Sequence, residues 1–307
     1  MTEAPYDRYP SIRGLVNTIT EVWPEHRGYL DKSFAMRTDA LLDTSDRMAA
    51  VVLELAGDDP RGTAEDYRWL CDQIRDEELN FARTDAYRYS TFAETNANVY
   101  SNDTFMKRYM NGLLFSHVLW FMHASSLHFF AQRLAARVHR GGKVLEVGSG
   151  HGLLLFLALR DLGMAEAVAW DLSPVSLEHT KAALARLGGG NARFEVQDMH
   201  QAEATGETFD LVILSHLLEH LEEPAAALAK VRGLLGKGGR LFVNLPLNAP
   251  MPDHLQLLRS PAEAEALIVD GGFRVLEIAS HTTQGVPLGK ALKNKVAVTC
   301  SIIAEPA

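Results

Sequence analysis

Apolar residues recur at helical spacing through the first part of the chain and gather into short strand-like runs through the second. From about Ser11 to Arg140 the pattern is helical, with few β-branched clusters. Ala35 to Leu55 carries Leu41, Leu42, Met48, Val51, Val52 and Leu55 at helical spacing and stops at Gly57-Asp58-Asp59-Pro60, which predicts one helix. Thr63 to Leu79 predicts another, with Thr63 as N-cap and Glu65-Asp66 in the first turn, where acidic groups favour the helix dipole. Arg83 to Asp103 holds Tyr87, Tyr89, Phe92 and Tyr100 without a period and reads as an ordered loop or lid. Thr104 to Val138 is a long apolar helical stretch with a break expected near Ala124-Ser125-Ser126.

From Gly141-Gly142 onward, strand-like runs alternate with helical ones. The runs are Val144–Val147, Ala167–Trp170, Arg193–Gln197, Leu211–Leu214, Arg240–Leu245, Phe273–Ile278 and Val296–Ile303. One intervening helix begins at Ser173-Pro174, an N-cap followed by proline at the first helical position. Another begins at Glu223-Pro224 and is expected to end at Gly236. The last two runs lack an obvious helix between them, which predicts an antiparallel edge hairpin. Alternation of this kind gives an α/β fold with a doubly wound sheet. The expected organisation is an N-terminal α-helical cap over residues 1–138 and a sheet domain over 139–307.

Composition narrows the classes. The 307 residues are 47% hydrophobic and 22% charged, enough for a core of ordinary size. A formal charge of −9 argues against a general nucleic-acid binder, which needs a basic field. Two cysteines, Cys71 and Cys300, make no disulfide framework and suit a reducing compartment. Met1 to Pro10 is polar and lacks the basic-then-apolar pattern of a secretory leader, and no apolar run reaches membrane-spanning length. A cytoplasmic location is expected, with no membrane partner.

Chemistry concentrates at four stations. The first is Val144-Leu145-Glu146-Val147-Gly148-Ser149-Gly150-His151-Gly152, an apolar strand breaking into a Gly-x-Gly-x-Gly turn before an apolar helix. Glycines there let backbone approach a ligand, and the turn's N–H groups face it at a helix N-terminus. The alternative is an ordinary strand–turn–helix connection. The second is Trp170-Asp171-Leu172-Ser173: with Ser173 as the cap, Asp171 is left for a pair of ribose hydroxyls. The third is Val196-Gln197-Asp198-Met199, where Asp198 would accept from an adenine amine while Met199 packs on the ring, or Asp198 forms a turn. The fourth is the Phe209–Leu221 run, which leaves Ser215 and His216 at the carboxyl edge of the sheet, where open α/β sheets bind ligands.

These stations together resemble the signature motifs of class I S-adenosylmethionine-dependent methyltransferases, and most closely the ubiquinone-biosynthesis-like group. That group commonly carries a His-x-x-Glu-His segment, matched by His216-Leu217-Leu218-Glu219-His220, and a glycine turn before its fifth strand, matched by Leu235-Gly236-Lys237-Gly238-Gly239. The resemblance covers the chain from Gly141 onward. It implies a seven-stranded, mostly parallel Rossmann-like sheet with the last strand inserted antiparallel. It also implies S-adenosylmethionine as cofactor, contacted by Glu146, Gly148, Ser149, Gly150, Asp171, Leu172, Asp198, Met199 and Ser215. The turn is one residue shorter than the Gly-x-Gly-x-x-Gly of dinucleotide sites, which must seat a pyrophosphate. A ligand with a cationic amine and a sulfonium instead suits a nearby carboxylate such as Glu146.

Methyl transfer from a sulfonium is mostly alignment and exclusion of water, and a base is needed only where the nucleophile arrives protonated. His216, His220 and His254 are the candidates, with Glu219 beside them. A helix beginning near His216 would put His216, Glu219 and His220 on one face. With His254 this set is similar to the metal cluster of small-RNA 2′-O-methyltransferases, although imidazole at the first position suits Zn²⁺ or Fe²⁺ better than Mg²⁺. The plainer alternative is that Glu219 and His220 anchor the loop without a metal.

In the helical region, Tyr100, Phe105, Tyr109, His117, Trp120, Phe121 and His128 would give a substrate flat apolar walls with a few polar tips, or would simply pack. His117, Phe121, Ala124 and His128 fall on one helical stripe. The leading expectation is a methyltransferase for a small molecule or carrier-tethered metabolite of specialised metabolism, acting on oxygen, nitrogen or carbon. The alternatives are a metal-assisted RNA methyltransferase and a non-methylating cofactor-binding relative. The partners expected are the small-molecule or carrier-bound substrate and a second copy of the chain.

Overall fold

Capping and proline placement set the helices of the N-terminal region. Residues 4–201 and 206–307 are described in the computed structural model, so Met1–Glu3 of the polar N-terminal stretch lie outside it. Helices α1 (Pro10–Val22), α2 (Arg27–Ala35), α3 (Asp39–Ala56) and α4 (Pro60–Thr84) come first. The Thr38 hydroxyl accepts from Leu41 N–H to open α3, which buries the stripe Leu41, Leu42, Ser45, Met48, Ala49 and Val52. The N-cap of α4 is Asp59 rather than Thr63: its carboxylate accepts from Gly62 N–H at 2.8 Å, and Pro60 takes the first helical position. Thr63 lies inside the helix and donates its hydroxyl to the Asp59 carbonyl. An aspartate immediately before a proline is the better start, and it sits four residues upstream of the expected one.

The aperiodic Arg83–Asp103 stretch is ordered, as expected, but it contains helix. Thr91 and Glu94 form a reciprocal capping box over the short α5 (Phe92–Thr95), and a π-helical turn follows over Asn96–Tyr100. Helices α6 (Asp103–Leu119) and α7 (Phe121–Leu134) break at Trp120, whose ψ of 126° is extended, and not at Ala124-Ser125-Ser126. Arg37 supplies the reason. Its guanidinium donates to the Val118 carbonyl at 2.7 Å and the Leu119 carbonyl at 3.3 Å, and the Ser33 hydroxyl donates to Leu119 at 3.2 Å. The orphan carbonyls at the end of α6 thus find a cation brought from far along the chain. Gly112 permits the approach of α6 to α4, because a Cβ there would lie 2.8 Å from both the Asp66 carbonyl and Leu70 Cβ.

The remainder builds one seven-stranded sheet. Its strands are β1 (Lys143–Val147), β2 (Glu166–Asp171), β3 (Ala192–Val196), β4 (Phe209–Ser215), β5 (Leu235–Leu247), β6 (Phe273–Thr282) and β7 (Val298–Pro306), in the order β3-β2-β1-β4-β5-β7-β6. The β1–β2, β1–β4, β2–β3 and β4–β5 ladders are parallel, with Leu145 paired to Val168 and Val212. The near-continuous apolar runs of β1, β2 and β4 are those of strands buried on both faces. Helices α8 (Leu153–Arg160), α9 (Pro174–Arg186), α10 (Pro224–Arg232) and α11 (Pro261–Asp270) alternate with them. Ser173 caps α9 as expected, whereas α10 ends at Arg232 and the Leu235–Gly239 glycines already belong to β5. The last strand is inserted between β5 and β6. The segment joining β6 to β7 is no bare hairpin, for it holds a 3₁₀ turn at Thr283–Gly285 and a short helix at Leu288–Lys293.

The chain divides into two units. One comprises the described part of Met1–His128 with Asn248–Leu257 and His281–Val298, and the other comprises Phe129–Leu247, Leu258–Ser280 and Thr299–Ala307. The division falls within α7, upstream of residue 138, and two segments from the C-terminal half join the helical unit.

Candidate functional site

The carboxyl ends of β1, β2, β3 and β4 gather the four stations. Gly148 follows β1 directly and its N–H donates to the Trp170 carbonyl at 2.8 Å. Gly148, Gly150 and Gly152 have φ of 72°, 49° and 68°, the left-handed region that a side chain resists. A Cβ on Gly148 would also stand 3.2 Å from Leu217 Cδ1. The turn is held from α9: the Thr180 hydroxyl donates to the Gly150 carbonyl at 2.8 Å and lies 3.2 Å from the Ser149 hydroxyl. Thr180 has no place in the four stations, and its sequence signal is only a threonine in a helix.

Below the turn, Glu146 pairs in register with Ala169 and Ile213 in the middle of the sheet. It is 3% exposed, and its Oε2 has no hydrogen-bond partner among the described residues. Burial pushes its pKa well above the usual carboxylate range, against a hydrogen bond from the Leu155 N–H that favours the charge. A carboxyl oxygen sunk this deep with no partner costs stability, which makes Glu146 a candidate ligand-binding group.

Asp171 ends β2, but it is not left idle by the Ser173 cap. Its Oδ1 accepts from Ser173 N–H at 2.8 Å and its Oδ2 from the Ser176 hydroxyl at 2.7 Å. The carboxylate is therefore oriented by the first turn of α9 while each oxygen keeps a second lone pair. Leu172 beside it is 59% exposed. Beyond β3, the Gln197 N–H donates to the Asp171 carbonyl at 3.0 Å and carries the ladder on toward Asp198. The Asp198 carboxylate accepts from Gln201 at 2.9 Å, closing a 3₁₀ turn in which Met199 is buried.

At the end of β4, Ser215 receives a hydrogen bond from Asn244 at 2.8 Å, and Asn244 in turn accepts from the Ser301 hydroxyl at 2.7 Å. This buried chain ties β4, β5 and β7 together. The visible signal for it was a lone amide inside the apolar Leu241–Leu245 run. His216 has a left-handed φ of 53°, so no α-helix begins there, and the following helical turn is a 3₁₀ turn over Leu218–His220. The expected helical face of His216, Glu219 and His220 is absent. A left-handed turn nonetheless brings His216 Nδ1 to 3.1 Å from Oε1 of Glu219, which is 1% exposed.

The helical unit holds the other candidates. Tyr109 and Tyr100 converge on one carboxylate, their hydroxyls donating to Asp253 Oδ1 at 2.9 Å and Oδ2 at 3.3 Å. His254 stands next to it, buried, with Nδ1 2.8 Å from the Ala249 carbonyl. A carbonyl can only accept, so Nδ1 carries a proton and donates it there. The Tyr87 ring packs edge-on against His254, and its hydroxyl accepts from Ala249 N–H at 3.1 Å. Trp120 donates to the Tyr67 hydroxyl at 3.0 Å, and that hydroxyl also meets His26. His117 and His123 face each other with ring centroids 5.7 Å apart, and His128 pairs with the Thr44 hydroxyl at 2.8 Å. The break at Trp120 puts His117 on α6 and both Phe121 and His128 on α7, so the expected single stripe is divided between two helices. The hydrogen bonds of Asp253, Tyr87 and Tyr67 were not legible in the sequence because their partners are remote in the chain.

The sheet order, the glycine turn at its carboxyl edge and the buried carboxyl beneath that turn define an α/β domain for a nucleoside-bearing ligand. Residues 122–271 match the family model described as methyltransferase domain, and this match together with the methyltransferase relatives supports a class I S-adenosylmethionine-dependent methyltransferase domain. S-adenosylmethionine is the cofactor of that domain. Over 110 residues the chain is 37% identical to a ubiquinone biosynthesis O-methyltransferase of Xanthomonas oryzae pv. oryzae, covering 34% of this chain and 43% of that protein. It is 30% identical over 108 residues to an aklanonic acid methyltransferase of a Streptomyces species, covering 35% of this chain and 49% of that protein. A 178-residue match at 29% identity to a highly reducing polyketide synthase of Emericella nidulans covers 52% of this chain and 7% of the synthase. The chain thus spans less than half the length of each of these relatives. Among solved structures, the mitomycin 7-O-methyltransferase shares the fold with a TM-score of 0.52 at 15% identity, over 84% of this chain and 75% of that one. Among the described residues no helix is long and apolar enough to cross a membrane.

Proposed function

We propose that this chain is an S-adenosylmethionine-dependent methyltransferase acting on a small molecule or carrier-tethered metabolite of specialised metabolism, in the cytoplasm. The observation that carries the reading is Glu146: a buried carboxyl with an unpartnered oxygen, set under three left-handed glycines at the carboxyl edge of the sheet. That pair fits a ligand with a cationic amine next to a carboxylate, the amine calling on Glu146 and the carboxylate on the turn's N–H groups. When bound, S-adenosylmethionine supplies an activated methyl group.

The chain's own residues have the following tasks in this reading. Gly148, Ser149 and Gly150 hold the amino-acid end, with the turn fixed by Thr180. Asp171 takes the ribose hydroxyls through its second lone pairs, and the exposed Leu172 covers the sugar. Asp198 and Met199 hold the adenine, and Ser215 closes the floor from β4. For an acceptor arriving as a hydroxyl, His254 is one proposed base. His216 and His220 are the other proposed bases, and Glu219 would orient the His216 ring through their contact. Tyr100, Tyr109, His117, Trp120 and Phe121 are proposed to hold the acceptor. Tyr100 and Tyr109 do so with ring faces, since Asp253 engages both hydroxyls.

Support for a small acceptor comes from two relatives: one acts in ubiquinone biosynthesis, the other is named for aklanonic acid. The test is transfer of tritium from methyl-labelled S-adenosylmethionine into small-molecule extract fractions and into carrier-bound thioesters. Label appearing in either fraction supports the reading. Cofactor binding with label in neither would leave a non-methylating relative.

A further inference from the structure

The Leu235–Gly239 segment is the one motif that the methyl-donor site does not absorb. It lies at the amino end of β5, on the sheet edge opposite the Gly148 turn, and bounds a cavity of about 410 Å³. The β4–β5 ladder runs from Phe209 paired with Leu235 directly to Leu211 paired with Arg240. Asp210 alone therefore stands against Gly236, Lys237, Gly238 and Gly239, and this bulge leaves their peptides out of the regular ladder. Gly238 has φ of 80° with open space on its Cβ side. A Cβ on Gly239 would lie 2.9 Å from the Phe209 carbonyl.

The cavity is lined by three cations, Arg232, Lys237 and Arg240, and by one carboxylate, Glu305. That carboxylate already bridges Arg240 at 3.1 Å and Arg274. Arg240 also donates to the Gly238 and Gly239 carbonyls at 2.7 and 3.1 Å, which holds the bulge open, while its Nε is buried with no partner among the described residues. Arg232 offsets part of the negative carboxyl end of α10. Lys237, at the exposed tip of the bulge, has no such duty. A positive cavity on a chain of formal charge −9 runs against the average of the molecule.

We propose that this cavity is a second ligand site, one that binds a phosphate group. The phosphate is either free or the monoester end of a small metabolite. Two guanidinium groups and an ammonium suit a tetrahedral dianion, and the volume admits a small organic body beside it. The site is separate from methyl transfer and stands whether or not the chain transfers a methyl group.

Glycine-selective ¹⁵N labelling of the full chain tests it. Titration with sodium phosphate, against sodium chloride at equal ionic strength, should give saturable shifts at Gly236, Gly238 and Gly239. Chloride should give none. Arg232→Glu with Lys237→Glu should weaken phosphate at least tenfold while S-adenosylhomocysteine binding at the other edge stays unchanged. Lys237→Gln, at an exposed position, should weaken it about threefold and serves if the double variant does not fold. Glycerol 3-phosphate binding more tightly than inorganic phosphate assigns a metabolite, and equal affinity assigns free phosphate. Shifts that rise without saturation, shifts that chloride reproduces, or phosphate affinity unaltered in the variants, overturn the proposal.

Discussion

The Thr180 hydroxyl, two turns into α9, donates to the Gly150 carbonyl at 2.8 Å and so clamps the glycine turn to the next helix of the sheet domain. The three left-handed glycines are strained toward no other conformation by their own sequence, and an unclamped turn would sample many. Thr180→Val keeps the shape and removes the donor. It should lower stability by about 1 kcal/mol and weaken S-adenosylhomocysteine several-fold, whereas Thr180→Ser should restore both. Urea unfolding and isothermal titration read the two effects separately.

Asp171 has a structural task and a proposed ligand task, and substitutions divide them. Asp171→Ala removes both and should weaken S-adenosylhomocysteine by about 1–3 kcal/mol, the cost of leaving buried ribose hydroxyls unpaired. Ser176→Ala removes one of the two hydrogen bonds that orient the carboxylate, and should cost less than Asp171→Ala in the same titration. Equal losses would assign Asp171 to the start of α9 alone.

Acid should loosen the helical unit before it touches the sheet domain's apolar core. Burial pulls the pKa of His26 down to about 4. Burial, then the charge of His128, does the same to His281. An unfolded histidine titrates near 6.5, so between about 6.5 and 4 the unfolded chain binds more protons than the folded one. Their contribution to stability is full above pH 6.5, falls as pH drops, and is gone by about pH 4. Unfolding by urea at pH 7.5 and pH 5 should show the midpoint falling with pH. His26→Phe should flatten the slope, and an unaltered slope would remove His26 from the account.

What the sequence disclosed depended on the range of the interactions. The strands of the sheet were legible because a strand buried on both faces must read as an apolar run, as Val144–Val147 and Leu211–Leu214 do. The Ser173-Pro174 start of α9 was legible because capping is local. Features set by distant partners were not. The α6–α7 break depends on Arg37, some eighty residues upstream, with a guanidinium that burial pulls down to about 9. The tyrosine pair on Asp253 and the Ser215–Asn244–Ser301 chain are likewise remote contacts. At the site, spacing correctly brought His216 and Glu219 together, yet through a left-handed residue rather than a helix face.

The account turns on Glu146 being held at a cost to the fold for the sake of a ligand. Replacing it with leucine removes a buried carboxyl whose Oε2 has no partner among the described residues, so Glu146→Leu should unfold at a urea concentration no lower than the native chain. Isothermal titration with S-adenosylhomocysteine is the decisive measurement. The expected result is one saturable site in the native chain and at least tenfold weaker binding in Glu146→Leu at undiminished stability. A native chain that takes up no heat from the ligand, or a leucine variant that binds it as tightly as the native chain, would contradict the account.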